Sequence, residues 1–307
     1  MTGTVSIVAG QICVMFVLMA VGFVLYRRGF ITDAGTAQMS DLVLYVANPV
    51  LIAQALMRPF EPSLLIGAGW VALLAAVTLA FSVGLGLIAY RGDVPHAAVG
   101  RFAVTFSNAG FIGIPLALVV AGQDCIFYIS IANTVQTALV WTYGVRLVSG
   151  SRSEASPKKV LLNPAIVAMA IGLVCFFTSW EPPALVDTSL DALGNLNTGL
   201  VMLVLGAYLG KCRLSEVLTD IQLYKVAALR LVAMPLVAVG CLMALANMFV
   251  LDEAVRISVV MYQAMPVAAV TSLFANKYEV DAAFGTKTVA ATTLLSLITL
   301  PLMMTLV

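Results

Sequence analysis

Residues 108–122 read NAGFIGIPLALVVAG, an apolar stretch that carries Gly110, Gly113 and Pro115 within six positions. Glycine weakens a helix through backbone entropy, and proline through a missing N–H and a ring that clashes with the preceding turn. One proline in a membrane helix is ordinary and often only kinks it. Three such residues so close together suit an interrupted helix, and the flanking sequence decides between a kink and a break.

The surroundings are those of a membrane. Of 307 residues 62% are apolar and only 10% charged, against about half and a quarter in soluble domains. The net charge of +1 and the scatter of Lys and Arg offer no basic surface for phosphate neutralisation, so nucleic acid is not an expected partner. Cys13, Cys125, Cys175, Cys212 and Cys241 stand singly, without a CxxC pair, and read as small packing residues. His96 is the sole histidine, in a short polar segment beside Arg91 and Asp93; a histidine metal site is not expected, nor any cofactor. The N-terminal MTGTVSIVAGQICVMFVLMAVGFVLYRRG lacks the basic leader of a signal peptide and reads as a first span.

A span needs roughly 20 apolar residues to cross about 30 Å of hydrocarbon. Ten windows qualify, near 4–27, 36–57, 63–90, 95–122, 124–148, 161–179, 187–210, 221–248, 252–277 and 283–306. The polar run SGSRSEASPKK between the fifth and sixth divides the chain into a first repeat at 1–148, a linker at 149–160 and a second repeat at 161–307. Odd-numbered loops and their flanks hold fourteen of the sixteen Lys and Arg, including Arg230 and Lys287, while even loops hold Arg58 and Arg256. Positive charge stays cytoplasmic, which sets both termini on the outer side of the membrane. Five spans per half then force the second half to enter inverted with respect to the first.

Superposing Pro115 on Pro266, an offset of 151 residues, brings four of the five spans of each half into register, with negligible identity. FIGIPLALVVAG thereby meets YQAMPVAAVTSLFA at 262–275. Interrupted segments at matching places in two halves point to discontinuous helices around a midplane site. A proline suits a first helical turn, so Pro115 and Pro266 each read as starting a half-helix whose positive end faces the centre. Two such ends favour an anion, and Gly110 and Gly113 let backbone amides approach it. Asn108 precedes the first break, Gln263 the second, Asn48 lies in YVANPVLIA, and Asn133, Gln136 and Thr137 share a face of the fifth span. Each is a candidate for binding or for an interhelical hydrogen bond. Asn195, Asn197 and Thr198 read as caps of the seventh span. Lys287, two turns into the tenth, is placed to neutralise an anion or to snorkel.

No acidic residue falls in the middle of a window, which disfavours the intramembrane carboxylate that cation exchange commonly uses. The lack of a nucleophile with a base within the spans disfavours an enzyme, and the short loops leave no output domain for a membrane sensor. These remain the alternatives to transport of an organic anion.

SNAGFIGIPLAL, NPAIVAMAIGL and YQAMPVAAVTSLFANKYEVDAAFGTKTVAATTLLSLITLP make the chain resemble the auxin efflux carrier family, which includes plant PIN carriers and bacterial malonate or malate permeases. The resemblance implies an all-α fold of ten helices in two inverted five-helix repeats with crossing helices four and nine. It also implies a scaffold domain used for dimerisation and an elevator-like transport domain. Binding asparagines would fall at Asn108 and Asn133. QAMP departs from the pattern, carrying no glycine at the second crossing. The expectation is a secondary transporter of a mono- or dicarboxylate, malonate-like, working as a homodimer in the bilayer, and the short loops and the resemblance together imply a plasma (inner) membrane.

Overall fold

The computed structural model describes residues 2–92, 94, 96–150, 157–212 and 220–307. Half of the 149–160 linker, residues 151–156 with Arg152, and also Asp93 and Arg213, lie outside the described residues. The described chain is helical, with an isolated antiparallel bridge between Ser107 and Val267. Its helices are α1 Thr2–Arg27, α2 Asp33–Leu56, α3 Pro62–Ala89, α4 Ala97–Thr105 and α5 Ile114–Leu139. There follow α6 Pro164–Thr178, α7 Ala184–Lys211, α8 Ile221–Ala246, α9 Glu253–Ala264, α10 Val270–Lys277 and α11 Ala282–Met303.

Among the described residues seven helices are long and apolar enough to cross a membrane: Gly10–Arg27, Asp33–Leu56, Pro62–Ala89, Gly122–Ser149, Ala184–Lys211, Ile221–Ala246 and Ala282–Leu306. The other three expected windows differ for a visible reason. The sixth is α6, a single helix of 15 residues. The fourth and ninth are not single helices: extended backbone separates α4 from the helical turns that lead into α5, and α9 from α10. Gly122, at a φ of +71°, interrupts α5 with a left-handed residue that costs glycine little, close to the boundary drawn between the fourth and fifth windows.

Helix starts follow local chemistry. The Thr32 side chain accepts the Gly35 N–H ahead of α2, Asn163 caps Ala165 ahead of Pro164 in α6, and Asp220 caps Gln222 ahead of α8. Four π-helical turns interrupt the ladders, at Val43–Ala47, Ala109–Gly113, Val140–Gly144 and Ala228–Ala233. Three of them run directly into Asn48-Pro49, Ile114-Pro115 and Met234-Pro235. A widened turn relieves the clash of the proline ring and absorbs the bond that its nitrogen cannot make.

Packing uses small residues, as membrane helices do in the absence of a hydrophobic drive between them. A Cβ on Gly206 of α7 would lie 2.1 Å from the Met19 carbonyl oxygen of α1, and one on Gly22 would lie 2.5 Å from that of Leu203. The two backbones are therefore in contact. Lys211 joins Asp33 at 2.7 Å at one end of this pair.

Candidate functional site

The two broken segments meet. The Asn108 N–H donates to the Pro266 carbonyl at 2.8 Å and the Ala268 N–H to that of Phe106 at 3.0 Å, around the Ser107–Val267 bridge. Backbone freed at membrane depth must find partners, and side chains from neighbouring helices supply the rest. Gln136 of α5 accepts the Ser107 N–H at 2.9 Å and donates to the Ser107 carbonyl at 2.8 Å. Thr292 of α11 accepts the Val267 N–H at 3.2 Å. The Tyr262 hydroxyl adds a hydrogen bond to Gln136 at 3.2 Å.

On one side of this crossing lies a cavity of about 260 Å³. Asn108, Gly110 and Phe111 line it from the start of the first half-helix, and Ala268, Ala269 and Val270 from the start of the second. First-turn amides lack intrahelical partners, so both positive ends border the same space. Asn48 from α2 and Asn133, Gln136 and Thr137 from α5 complete the deep wall, while Asp41, Asn163 and Lys277 belong to the lining as well. Asn108 is nearly buried; its Oδ1 accepts the Ala269 N–H at 3.4 Å, and its Nδ2 has no partner. The Asn48 Oδ1 is likewise buried and unpartnered. A Cβ on Gly110 would lie 3.1 Å from both Asn133 Oδ1 and Asn48 Nδ2, so the missing side chain keeps the space between these amides open.

A family model described as a membrane transport protein matches residues 7–157 and 152–304. The chain belongs to that family, the auxin efflux carriers. It is 26% identical over 298 residues to a protein of Methanothermobacter thermautotrophicus named "Uncharacterized transporter", with 94% of each chain covered. It is 23% identical over 305 residues to a Rhizobium meliloti protein named "Putative malonate transporter", covering 95% of this chain and 93% of the relative. Membrane transport rather than catalysis is thus its class of activity.

In this auxin efflux carrier Asn48, Asn108, Gly110, Asn133 and Gln136 are brought together at the cavity. Five other expected residues are not in its lining, each for a structural reason. Helical form resumes at Ala109, ahead of Pro115, which is the second residue of the α-helix proper. Gly113 faces Ile129 and Met265, where a Cβ would lie 2.9 Å from Ile129 Cδ1. Pro266 does not start α10 but lies in the extended break and lends its carbonyl to Asn108. Gln263 is fully buried, donating to Thr78 Oγ1 at 2.7 Å and accepting from Arg230. Lys287 sits half-buried on α11; the cavity's cation is Lys277, exposed at the end of α10.

Three placements escaped sequence reasoning. Arg230 was assigned to a loop flank, yet it is 0% exposed; standing nine residues into α8, it is about 14 Å along the helix, a depth the apolar window already implied. Without it the charge count is still thirteen against two. Asn197 does not cap α7 but lies within it, fully buried, with neither amide atom partnered. Asp41, one of the acidic residues away from the middle of the windows, lines the cavity, which the sequence did not single out. A second cavity, of about 570 Å³, is lined among others by Gln54, Arg58, Gln123, Asp187 and Asn195. There Arg58 pairs with Asp124 at 2.6 Å, and Gln54 donates to Asp191 at 2.9 Å.

Proposed function

We propose that this carrier moves a small organic anion, a malonate-like carboxylate, by alternating access. The observation that carries the reading is the cavity bordered by two helix N-termini, with Asn108 in its lining and the Asn108 Nδ2 buried without a partner. Each helix start carries roughly +0.5 of an elementary charge, so the pair matches one carboxylate. Asn133 and the amides near Gly110 offer further donors, and the unpartnered Asn48 Oδ1 calls for one. A dicarboxylate that keeps one proton meets both demands: its carboxylate faces the helix ends and its carboxylic acid donates to Asn48. The proton then travels on the substrate, and no intramembrane carboxylate is required.

The ten expected crossings, in two inverted five-helix repeats, supply the frame for this cycle. The cavity wall comes from α2 and α6 on one side and from α5, α10 and the crossing on the other, a division that suits a transport unit sliding against a scaffold, with the scaffold pairing two copies as a homodimer. With odd loops cytoplasmic and both termini outside, Asn163 and Lys277 stand towards the cytoplasm, and the state described is inward-facing.

The test is binding first and uptake second. A bound carboxylate raises the thermal midpoint of the purified protein by mass action, and malonate is expected to do so in the wild type but not in Asn108→Ala. In proteoliposomes Asn108→Ala is expected to lower malonate uptake at least tenfold, equivalent to about 1.4 kcal/mol, with the variant still folded. Carboxylate uptake that survives Asn108→Ala unchanged overturns the assignment.

A further inference from the structure

The cavity lies on the amide side of the crossing; the carbonyl side holds Arg230. Its guanidinium is completely buried on the π-helical turn Ala228–Ala233 of α8. Nη2 donates to the Gln263 carbonyl at 2.6 Å and to Gln263 Oε1, and Nε to the Met265 carbonyl at 3.3 Å. Nη1 is shared between the carbonyls of Val104 and Thr105, at 3.4 and 3.5 Å. Among the described residues no carboxylate is within ion-pair distance of it.

A buried charge without a counter-charge is costly, so its surroundings must supply one. Val104 and Thr105 end α4, while Gln263 lies in the last turn of α9 and Met265 follows it. Those carbonyls have no intrahelical donors, and each helix C-terminus carries roughly −0.5 of an elementary charge. Two such ends balance one guanidinium, whose fixed fork of donors reaches both helices at once. Gln263 completes the cage, held in turn by Thr78. The crossing is thus arranged as two poles, with the negative one filled from within the chain and the positive one left open to the cavity.

We infer that Arg230 is a tethered cation occupying the place where a coupling metal cation would otherwise bind, so that carboxylate transport by this chain runs without sodium. Arg230 is a positioning residue: it joins the C-terminal ends of both half-helices and so holds their partners' N-terminal ends towards the anion. Among the described residues no cluster of three or more acidic, His or Cys side chains could hold a metal ion instead. The inference rests on the carboxylate reading above only for its transport arm.

The experiment uses the full chain, wild type and Arg230→Ala, with two readouts. In the first, thermal midpoints are measured without any carboxylate, in N-methylglucamine chloride and with millimolar guanidinium or sodium chloride added. Arg230→Ala is expected to melt well below the wild type and to be raised by guanidinium, through occupancy of the vacated cage, while the wild type does not respond. In the second, malonate uptake by the wild type is expected to be unchanged when sodium is replaced by N-methylglucamine, and uptake by Arg230→Ala to be lost and partly restored by guanidinium. Strict sodium dependence of the wild type overturns the proposal. So does an Arg230→Ala protein that is destabilised but indifferent to every cation, because Arg230 would then be a structural anchor alone. If Arg230→Ala does not fold, Gln263→Ala, which opens the cage without removing the charge, is expected to gain the guanidinium response only weakly; a strong response to sodium there also counts against the idea. Failure of malonate uptake with the thermal response intact would remove the carboxylate reading and leave the tethered cation standing.

Discussion

The two breaks that form the crossing are built differently. The first, around Ser107, is gripped by one amide side chain that satisfies both a backbone donor and a backbone acceptor, and it is followed by a glycine that borders the cavity. The second, around Val267, is held by two different side chains, Thr292 accepting the Val267 N–H and Arg230 donating to the Met265 carbonyl, and its proline contributes its carbonyl. The glycine-free QAMP segment is therefore no weaker copy of the first arm. It supplies the backbone against which the first arm is paired, and Asn108 reaches across to cap its helix start. In the reading proposed above, the first arm carries the ligand-facing donors and the second arm orients them.

From that asymmetry, Gln136→Ala is expected to have the largest effect. It strands a buried N–H and a buried carbonyl at once, at about 1–3 kcal/mol for each unsatisfied group, so thermal unfolding should show a large loss of stability and carboxylate binding should vanish with it. Thr292→Val removes one acceptor of near-equal volume and should cost about 1–2 kcal/mol, with carboxylate affinity preserved in a binding titration. Equal losses from the two substitutions would erase the distinction between the arms.

Gly110→Ala sharpens it from the other side. The added methyl group crowds Asn133 and Asn48, so malonate affinity should fall about tenfold, or about 1.4 kcal/mol, with little change in the thermal midpoint. The smallest effect is expected far from the crossing. Arg58→Ala breaks the pair with Asp124, whose side chains are 23% and 47% exposed; solvent-screened pairs are worth about 0–1 kcal/mol, and a midpoint shift near the limit of detection is the expected result.

How much of this was readable beforehand depended on the range of the interaction involved. Long apolar windows and the breaks near Pro115 and Pro266 follow from hydropathy and from a missing N–H, which are properties of one residue and its neighbours. The starting positions of the half-helices did not follow, because a π-helical turn let the chain resume its coil before Pro115. Asn108 and Gly110 were legible as candidates from their place beside the break, and both line the cavity. Gln263 had the same kind of sequence neighbourhood and a different fate, since Thr78 and Arg230 claim both ends of its amide.

Sequence alone thus established a helical membrane protein with two interrupted segments, because composition, hydropathy and proline chemistry act locally. Which amide faces the cavity, which is spent on the opposite break, and where a lone arginine finds its counter-charge were settled by packing. Asn48 meets Gly110, and Arg230 meets the ends of α4 and α9, only after helices far apart in the chain have come together. A buried polar group must satisfy its hydrogen bonds with whatever that assembly brings within reach, and no local pattern records what that will be.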